Sequence, residues 1–325
     1  MNAASSTGAT TTAGHSIIVP VYNSAKTLPM LVDAVEQAFL QAKTPFEVIL
    51  VNDGSHDASW SIITELAAGR PWLRGICLFR NYGQHNALLA GLRNARYNVT
   101  VTLDDDLQHP PTEIDKLLAA LEEDVDVVYG TPAREQHGLF RDLASLITKL
   151  ALRSAMGAKT AAQTSAFRVF RTDLRQAFAN YGSPTVSIDV LLTWATTRFT
   201  SVQVLHAPRF EGKSNYTFGK LVRHALNMTT GFSVLPLQFA SMMGFAFTAL
   251  GITVLAYVVG RYMLFGSAVA GFPFLASIIA MFAGVQLFAL GVIGEYLARM
   301  HFRIMEKPAY TIRGHVSSEQ LPRSL

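Results

Sequence analysis

The stretch LDDDLQHPP, residues 103–111, sets three carboxylates, Asp104, Asp105 and Asp106, side by side after a run of β-branched residues. Desolvated together they would repel one another, so the cluster needs a cation or an exposed setting. Alternate residues of an extended chain point the same way, which groups Asp104 with Asp106 and turns Asp105 aside. Gln108 adds a neutral oxygen across the turn. Two carboxylates and an amide oxygen, with room left for water and phosphate, suit Mg²⁺ or Mn²⁺ better than zinc. The competing reading is a solvated acidic turn that caps the helix beginning near Pro110, because Asp is common ahead of helices.

Asp53, in VNDGSHD, can accept hydrogen bonds from a nucleobase or ribose, or simply form an Asp-Gly turn. Arg80, in LFRNYG, can meet a phosphate or pair with an Asp, and His85 can merely open a helix. What connects these residues is the surrounding pattern. From His15 onward, short β-branched runs alternate with amphipathic stretches, as in βαβ units on a mainly parallel sheet. SIIVPVY, FEVILVND, GICLFRN and NVTVTLD read as strands. TLPMLVDAVEQAFLQA, ASWSIITELAAG and QHNALLAGLRNA read as helices, the first with Thr27 as N-cap and Pro29 in its first turn. A helix in PTEIDKLLAALEE, a fifth strand in DVDVVYG, helices over 138–157, an extended SAFRVFR and a helix in SIDVLLTWATT follow. In open α/β sheets ligands bind beyond the carboxyl ends of the strands. Those ends are residues 20–23, 52–55, 80–83 and 104–106, and each carries polar groups.

Half of the chain is hydrophobic and only 15% is charged, and the apolar excess lies in the last third. No Asp, Glu, Lys or Arg occurs between Arg223 and Arg261, or between Arg261 and Glu295. Each interval exceeds the roughly 20 residues that cross a bilayer core, which predicts two transmembrane helices within 235–260 and 272–294. Basic residues flank them: Arg209, Lys213, Lys220 and Arg223 before, Arg299, Arg303, Lys307 and Arg313 after. The positive-inside rule then puts both ends in the cytoplasm. The amino-terminal MNAASSTGATTTAGH lacks the features of a signal peptide and reads as a disordered tail. The single cysteine, Cys77, excludes an internal disulfide framework and fits a reducing compartment. Residues 217–232 alternate apolar and basic positions at helical spacing, as an interfacial helix leading into the membrane would.

The series IIVPVYN, VILVNDGSHD, LFRNYGQHNALLAG, VTLDDDLQHPP, FRVFR and RFEGKSNYTF resembles the polyprenyl-phosphate branch of the family 2 glycosyltransferases, over about residues 15 to 310. The resemblance implies a GT-A type α/β fold, with a mainly parallel open sheet and flanking helices, followed by a juxtamembrane amphipathic helix and two transmembrane helices. The expected divisions are a tail at 1–14, a cytoplasmic catalytic domain at 15–212, a basic loop and amphipathic helix at 213–233, a membrane hairpin at 234–298 and a cytoplasmic tail at 299–325. Carried over by position, the resemblance implies that Pro20, Tyr22, Asn23, Asp53, Arg80, Asp104 and Asp105 surround a nucleotide-sugar. Asp104, Asp106 and Gln108 would hold Mg²⁺ or Mn²⁺. Arg168 matches an arginine of the family, with Ala166 where glycine is usual, and Arg209, Lys213 and Ser214 match a loop that meets the diphosphate or the lipid phosphate. Asn215 replaces a usual lysine, and Ala162 stands where the family has an Asp, for which Asp189 is the candidate substitute.

The reaction so implied is a single inverting displacement from a nucleotide-sugar, a UDP-sugar, to a polyprenyl phosphate, undecaprenyl phosphate, at a bacterial inner membrane. Asp106, Arg168 and Asp189 are its expected catalytic residues. A phosphate monoester is largely ionised at neutral pH, with a second pKa of about 6, so no general base is obligatory. Expected partners are the donor, the lipid acceptor, membrane lipid and further copies of the chain as a tetramer, and no nucleic acid. A processive polysaccharide synthase and a non-catalytic membrane-anchored binding module are the alternative readings; against the first, the chain has no Q-x-x-R-W motif and few spans.

Overall fold

A computed structural model describes residues 12–40, 44–132, 164–207, 234–266 and 271–318. Strand β1 (Thr12–Val21) completely buries Ile17, Ile18, Val19 and Val21. Burial on both faces is what a central parallel strand requires, and it explains the unbroken apolar run in its sequence. Helices α1 (Leu28–Leu40) and α2 (Ser59–Ala68) place Leu31, Val32, Val35 and Ile63 against the face that holds Ile17 and Val19. Helices α3 (Gln84–Asn94) and α5 (Ile188–Ala195) cover the opposite face around Ile18 and Ile49, and the short α4 (Ile114–Ala119) joins the first layer.

The other strands are β2 (Phe46–Asn52), β3 (Leu73–Leu78), β4 (Tyr97–Thr102), β5 (Val127–Pro132), β6 (Arg168–Arg171), β7 (Phe199–Val204) and β8 (Ile312–Ser317). Among the described residues they form one sheet of order β7-β5-β6-β4-β1-β2-β3-β8. β1, β2, β3 and β4 run parallel; β6 is antiparallel to β4 and β5, and β8 to β3. The chain builds outward from β1 to β3, then crosses back to lay β4 on the other side of β1. That reversal opens a crevice between the carboxyl ends of β1 and β4. Pro20 helps to open it. Ile18 accepts a hydrogen bond from Leu103 on the β4 side, and two residues later Pro20 has no N–H with which to continue that ladder. On the far layer α3 lies close to β1 because position 91 is glycine; a Cβ there would fall 2.4 Å from Ile18 Cγ2.

The expected mainly parallel α/β sheet is present, with differences at its margins. β1 begins at Thr12, so residues 12–14 are strand and not tail. The helix expected after Pro110 is a 3-10 turn, Pro111–Glu113, followed by the brief α4. β7 and β8 are additional strands, and β8 turns part of the expected tail at 299–325 into sheet. Both lie at sheet edges and keep polar positions exposed, which guards an edge against further pairing and dilutes the apolar signal. The expected helices over 138–157 and the basic loop and amphipathic helix over 213–233 lie outside the described residues.

Helices α6 (Leu235–Phe265) and α7 (Phe272–Ile304) are long and apolar enough to cross a membrane. They pack through Gly251 against Phe282 and through the edge-on pairs Phe239–Phe288 and Phe247–Phe282. Their remaining surface exposes large apolar side chains such as Phe245 and Met263. After α7 the chain returns to the sheet as β8, where Val316 is buried against the position of Gly75. Ending the chain after Pro308 is therefore expected to lower the melting midpoint of the detergent-solubilised protein by roughly 5–10 °C, since about 1 kcal/mol moves a domain of this size by about 2–4 °C. An unchanged midpoint would make this segment a dispensable tail.

Candidate active site

Three strand-end loops meet at the carboxyl edge and are fastened to one another by side chains bonding to backbone. After β2, Asp53 is buried and accepts hydrogen bonds from the N–H groups of Tyr82 (2.7 Å) and Gly83 (2.8 Å) in the loop after β3. Burial pushes its carboxyl above the usual range, against the pull of those two bonds and of Arg80. The next residue, Gly54, has φ +63, and a Cβ there would lie 2.4 Å from the backbone carbon of Arg80. Only glycine lets these two loops approach so closely. The loop after β1 is tied in the same manner: Asn23, at φ 55, donates its N–H to Ser55 Oγ and accepts from His56 N–H. Ser24 N–H donates to Ser59 Oγ, and Asp57 receives the N–H of Ala25.

The acidic turn follows β4. Asp105 reaches across the crevice to β1, accepting from Tyr22 N–H (3.1 Å) and from the Ser24 hydroxyl (2.5 Å). Burial raises its carboxyl pKa, opposed by those hydrogen bonds. Asp104 instead accepts from Gln84 Nε2 at 2.6 Å, and Asp106 accepts the N–H of Gln108 at 3.1 Å, with Leu107 between them at φ 61. Asp105 is thus engaged by the β1 loop, while Asp104 and Asp106 bond elsewhere. Among the described residues no group of three or more His, Cys, Asp or Glu could enclose a metal ion. Besides the engaged Asp105, the oxygen-bearing side chains of the turn are Asp104, Asp106 and Gln108, all partly exposed. That set fits a Mg²⁺ or Mn²⁺ ion that completes its shell with water and phosphate.

Beside the turn, His109 packs on Phe167 and edge-on to His206, with ring centres 5.2 and 5.0 Å away. Burial and the neighbouring His206 bring its pKa down to about 4 despite Asp106, so the ring is neutral at neutral pH. Ala207 N–H donates to Gln108 O, joining the end of the β7 segment to the same turn. At the outer edge of the crevice the exposed Arg80 guanidinium lies 4.4 Å over the Tyr82 ring. Pro20 is buried at the end of β1, while Tyr22 and Asn23 are exposed at the mouth.

Arg168 departs from its expected place. It is the largest fully buried side chain of the protein's described residues, with its guanidinium paired to Asp189 and its Nε donating to Thr102 Oγ1 at 3.0 Å. The Tyr129 hydroxyl donates to the same Asp189 oxygen, and burial beside that carboxylate raises the tyrosine pKa well above its ordinary value. Register explains this: β6 is antiparallel to β4, and Arg168 lies opposite Thr102, at the inner side of the strand end. Arg168, expected to hold the acceptor phosphate, and Asp189, expected as the substitute acid, are paired with each other in this arrangement. The pair ties β4, β5, β6 and α5 together beneath the acidic turn. Arg209, Lys213, Ser214, Ala162 and Asn215 lie outside the described residues.

Ser24, Gln84, Tyr129, His109 and His206 are site residues that sequence reasoning did not single out. Gln84 and His109 lie within motifs already noted, LFRNYGQHNALLAG and LDDDLQHPP, and Ser24 directly follows IIVPVYN; Tyr129 and His206 depend on contacts between distant segments.

Residues 16–178 match the family described as Glycosyl transferase family 2. The undecaprenyl-phosphate 4-deoxy-4-formamido-L-arabinose transferase of Pectobacterium atrosepticum is 33% identical over 306 residues, 93% of this chain and 94% of the relative. Its counterpart from Yersinia pestis (strain Pestoides F) is 34% identical over 309 residues, 94% of each chain. Among solved structures, the glucosyl-3-phosphoglycerate synthase of Mycobacterium tuberculosis in complex with Mn²⁺, uridine-diphosphate and phosphoglyceric acid gives a TM-score of 0.51 at 16% identity, covering 67% of this chain and 76% of that one. This likeness shows the shared GT-A type fold.

Two outcomes follow from the buried acids. Arg168→Ala leaves the mostly enclosed Asp189 without its cation and should cost about 3 kcal/mol, whereas Arg168→Met with Asp189→Leu recovers most of it; denaturation midpoints of wild type and the two variants check this. For Asp53 the folded pKa lies above the unfolded one, so the stability linked to its proton is present at low pH and lost as pH rises through the folded value. Melting midpoints of wild type and Asp53→Asn measured against pH should show wild type losing ground as pH rises through that range.

Proposed function

Since the chain belongs to glycosyl transferase family 2 and carries two helices able to cross a membrane, we propose that it moves one sugar from a UDP-sugar to undecaprenyl phosphate at the cytoplasmic face of a bacterial inner membrane. The observation that carries this reading is the β1/β4 crevice, where an open acidic turn stands on a sheet whose chain continues into an apolar hairpin. The relatives' names support the lipid acceptor and the solved neighbour's bound uridine-diphosphate supports the donor class.

In this reading the exposed Tyr22 and Asn23 and the clamped Asp53 loop line the nucleotide side of the crevice, and Arg80 supplies a cation at its rim. Asp104, Asp106 and Gln108 would hold a divalent ion, whose charge would offset that of the departing diphosphate. Arg209, Lys213 and Ser214 meet the acceptor phosphate. Positioning an already ionised phosphate in line with the anomeric carbon is then the protein's main contribution, and inversion follows from one displacement. Arg168 and Asp189 act as positioning residues under the turn. Gly244, Gly260, Gly284, Gly291 and Gly294 have open space where a Cβ would stand, which supports close packing of the spans between copies of the chain.

The test is transfer from a panel of labelled UDP-sugars by the full-length enzyme, with and without undecaprenyl phosphate and divalent metal. One donor should give a lipid-linked product only when all components are present, and Asp106→Ala should reduce transfer by roughly 10²–10³-fold, the scale of a lost transition-state charge contact, with membrane insertion unchanged. Nucleotide binding with no transfer from any donor would overturn the reading, and an active Asp106→Ala would overturn the metal assignment.

A further inference from the structure

A second cleft of about 670 Å³ lies away from the crevice, between residues 176–183, Trp194 of α5, and Arg303, Glu306 and Pro308 at the end of α7. The two sites sit at opposite ends of α3. Gln84, at its amino end, binds Asp104 in the crevice, while Arg93, in its last turn, donates to the carbonyls of Ala179 and Tyr181 in the cleft wall.

The position of this cleft is set by α7. Its charge-free stretch ends at Glu295, which pairs with Arg299 one turn on. Arg303 lies eight residues past Glu295, about 12 Å at the helical rise, so the cleft falls at or just beyond the headgroup layer that borders an apolar core of about 30 Å. Trp194 is half exposed there and packs edge-on to Tyr181 at 5.5 Å. A ring with an apolar body and a polar tip is the residue type enriched at that depth.

The charges in the cleft are one base and one acid. Arg303 and Glu306 are both exposed, and among the described residues neither takes part in an ion pair. A phosphate monoester such as the acceptor, with a charge of about −1.5 to −2, would be opposed by Glu306. A singly anionic headgroup engages Arg303 and leaves Glu306 to water. A zwitterionic headgroup satisfies both, its phosphate on the Arg303 guanidinium and its ammonium on the Glu306 carboxylate. Because a carboxylate only accepts hydrogen bonds, a primary ammonium serves it better than a quaternary one.

We infer that this cleft binds the phosphoethanolamine headgroup of a bilayer lipid, as a site separate from the transfer crevice. The inference rests on α6 and α7 spanning a membrane but not on the transfer reaction, and its test requires no turnover.

Purified full-length protein is incubated with mixed vesicles of phosphatidylethanolamine, phosphatidylcholine and phosphatidylglycerol in equal amounts, extracted in detergent, and its retained lipids are quantified by mass spectrometry. Phosphatidylethanolamine should exceed each of the others by roughly tenfold, the worth of one charge-assisted hydrogen bond. Glu306→Gln should erase the preference over phosphatidylglycerol, Glu306→Lys should reverse it, and the double exchange Arg303→Glu with Glu306→Arg should keep it, each at an unchanged melting midpoint. If one single variant melts early, the double exchange decides. Equal retention of the three lipids by wild type, or a preference unaltered in Glu306→Lys, would overturn the proposal.

Discussion

A carboxylate that accepts backbone N–H from a neighbouring loop is the interaction on which the site depends, and it occurs at two strand ends, at the buried Asp53 and the half-buried Asp105. Beyond the sheet ladder, loop N–H groups have no regular partners, and leaving them unpaired in a partly dry crevice costs free energy. Asp53 binds the loop after β3, and Asp105 binds the loop after β1. These hydrogen bonds oppose the burial that raises both pKa values, and burial is the larger effect at each. The two clamps turn separate loops into one wall. Asp104 and Asp106 then belong to a turn whose middle residue is already fixed.

The same economy extends to the membrane side. Asn86, one turn into α3, donates to the carbonyls of Pro184 and Ala309. Ala309 lies between the end of α7 and β8, so the segment that leaves the apolar hairpin is pinned to the helix that begins at the crevice. β8 then completes the attachment by pairing with β3. In the proposed reaction a sugar donor at the sheet edge and an acceptor in a bilayer must meet at a fixed height, which a short connection of this kind would set.

The sequence made the interior strands and the acidic turn legible for simple reasons. β1 and β2 are buried on both faces, so their apolar runs are unbroken; Asp105 does part from its neighbours, but through a turn that begins after β4 and not through strand alternation. The two long apolar helices were equally plain, because an apolar interval longer than a bilayer core and free of charge is the pattern that a spanning helix requires. Edge strands were not legible. β7 and β8 keep polar residues on their exposed sides and lose the pattern that marks a strand. Nor was the Arg168–Asp189 pair, which arises from an antiparallel register with β4 and the packing of a helix about 20 residues away in sequence. Asp53 was read as a ligand for nucleotide; its two oxygens also carry the neighbouring loop, a role that needs the three-dimensional meeting of β2 and β3 to be seen.

The central claim is a division of labour within three adjacent acids: Asp105 secures the β1 loop, and Asp104 and Asp106 serve the ligand. Amide hydrogen exchange at Tyr22, read together with metal-dependent uridine-diphosphate affinity on the same samples, tests it most directly. The account expects Asp106→Ala to lose metal-dependent affinity while Tyr22 stays protected, and Asp105→Ala to lose that protection. Loss of Tyr22 protection in Asp106→Ala, or its retention in Asp105→Ala, would contradict it.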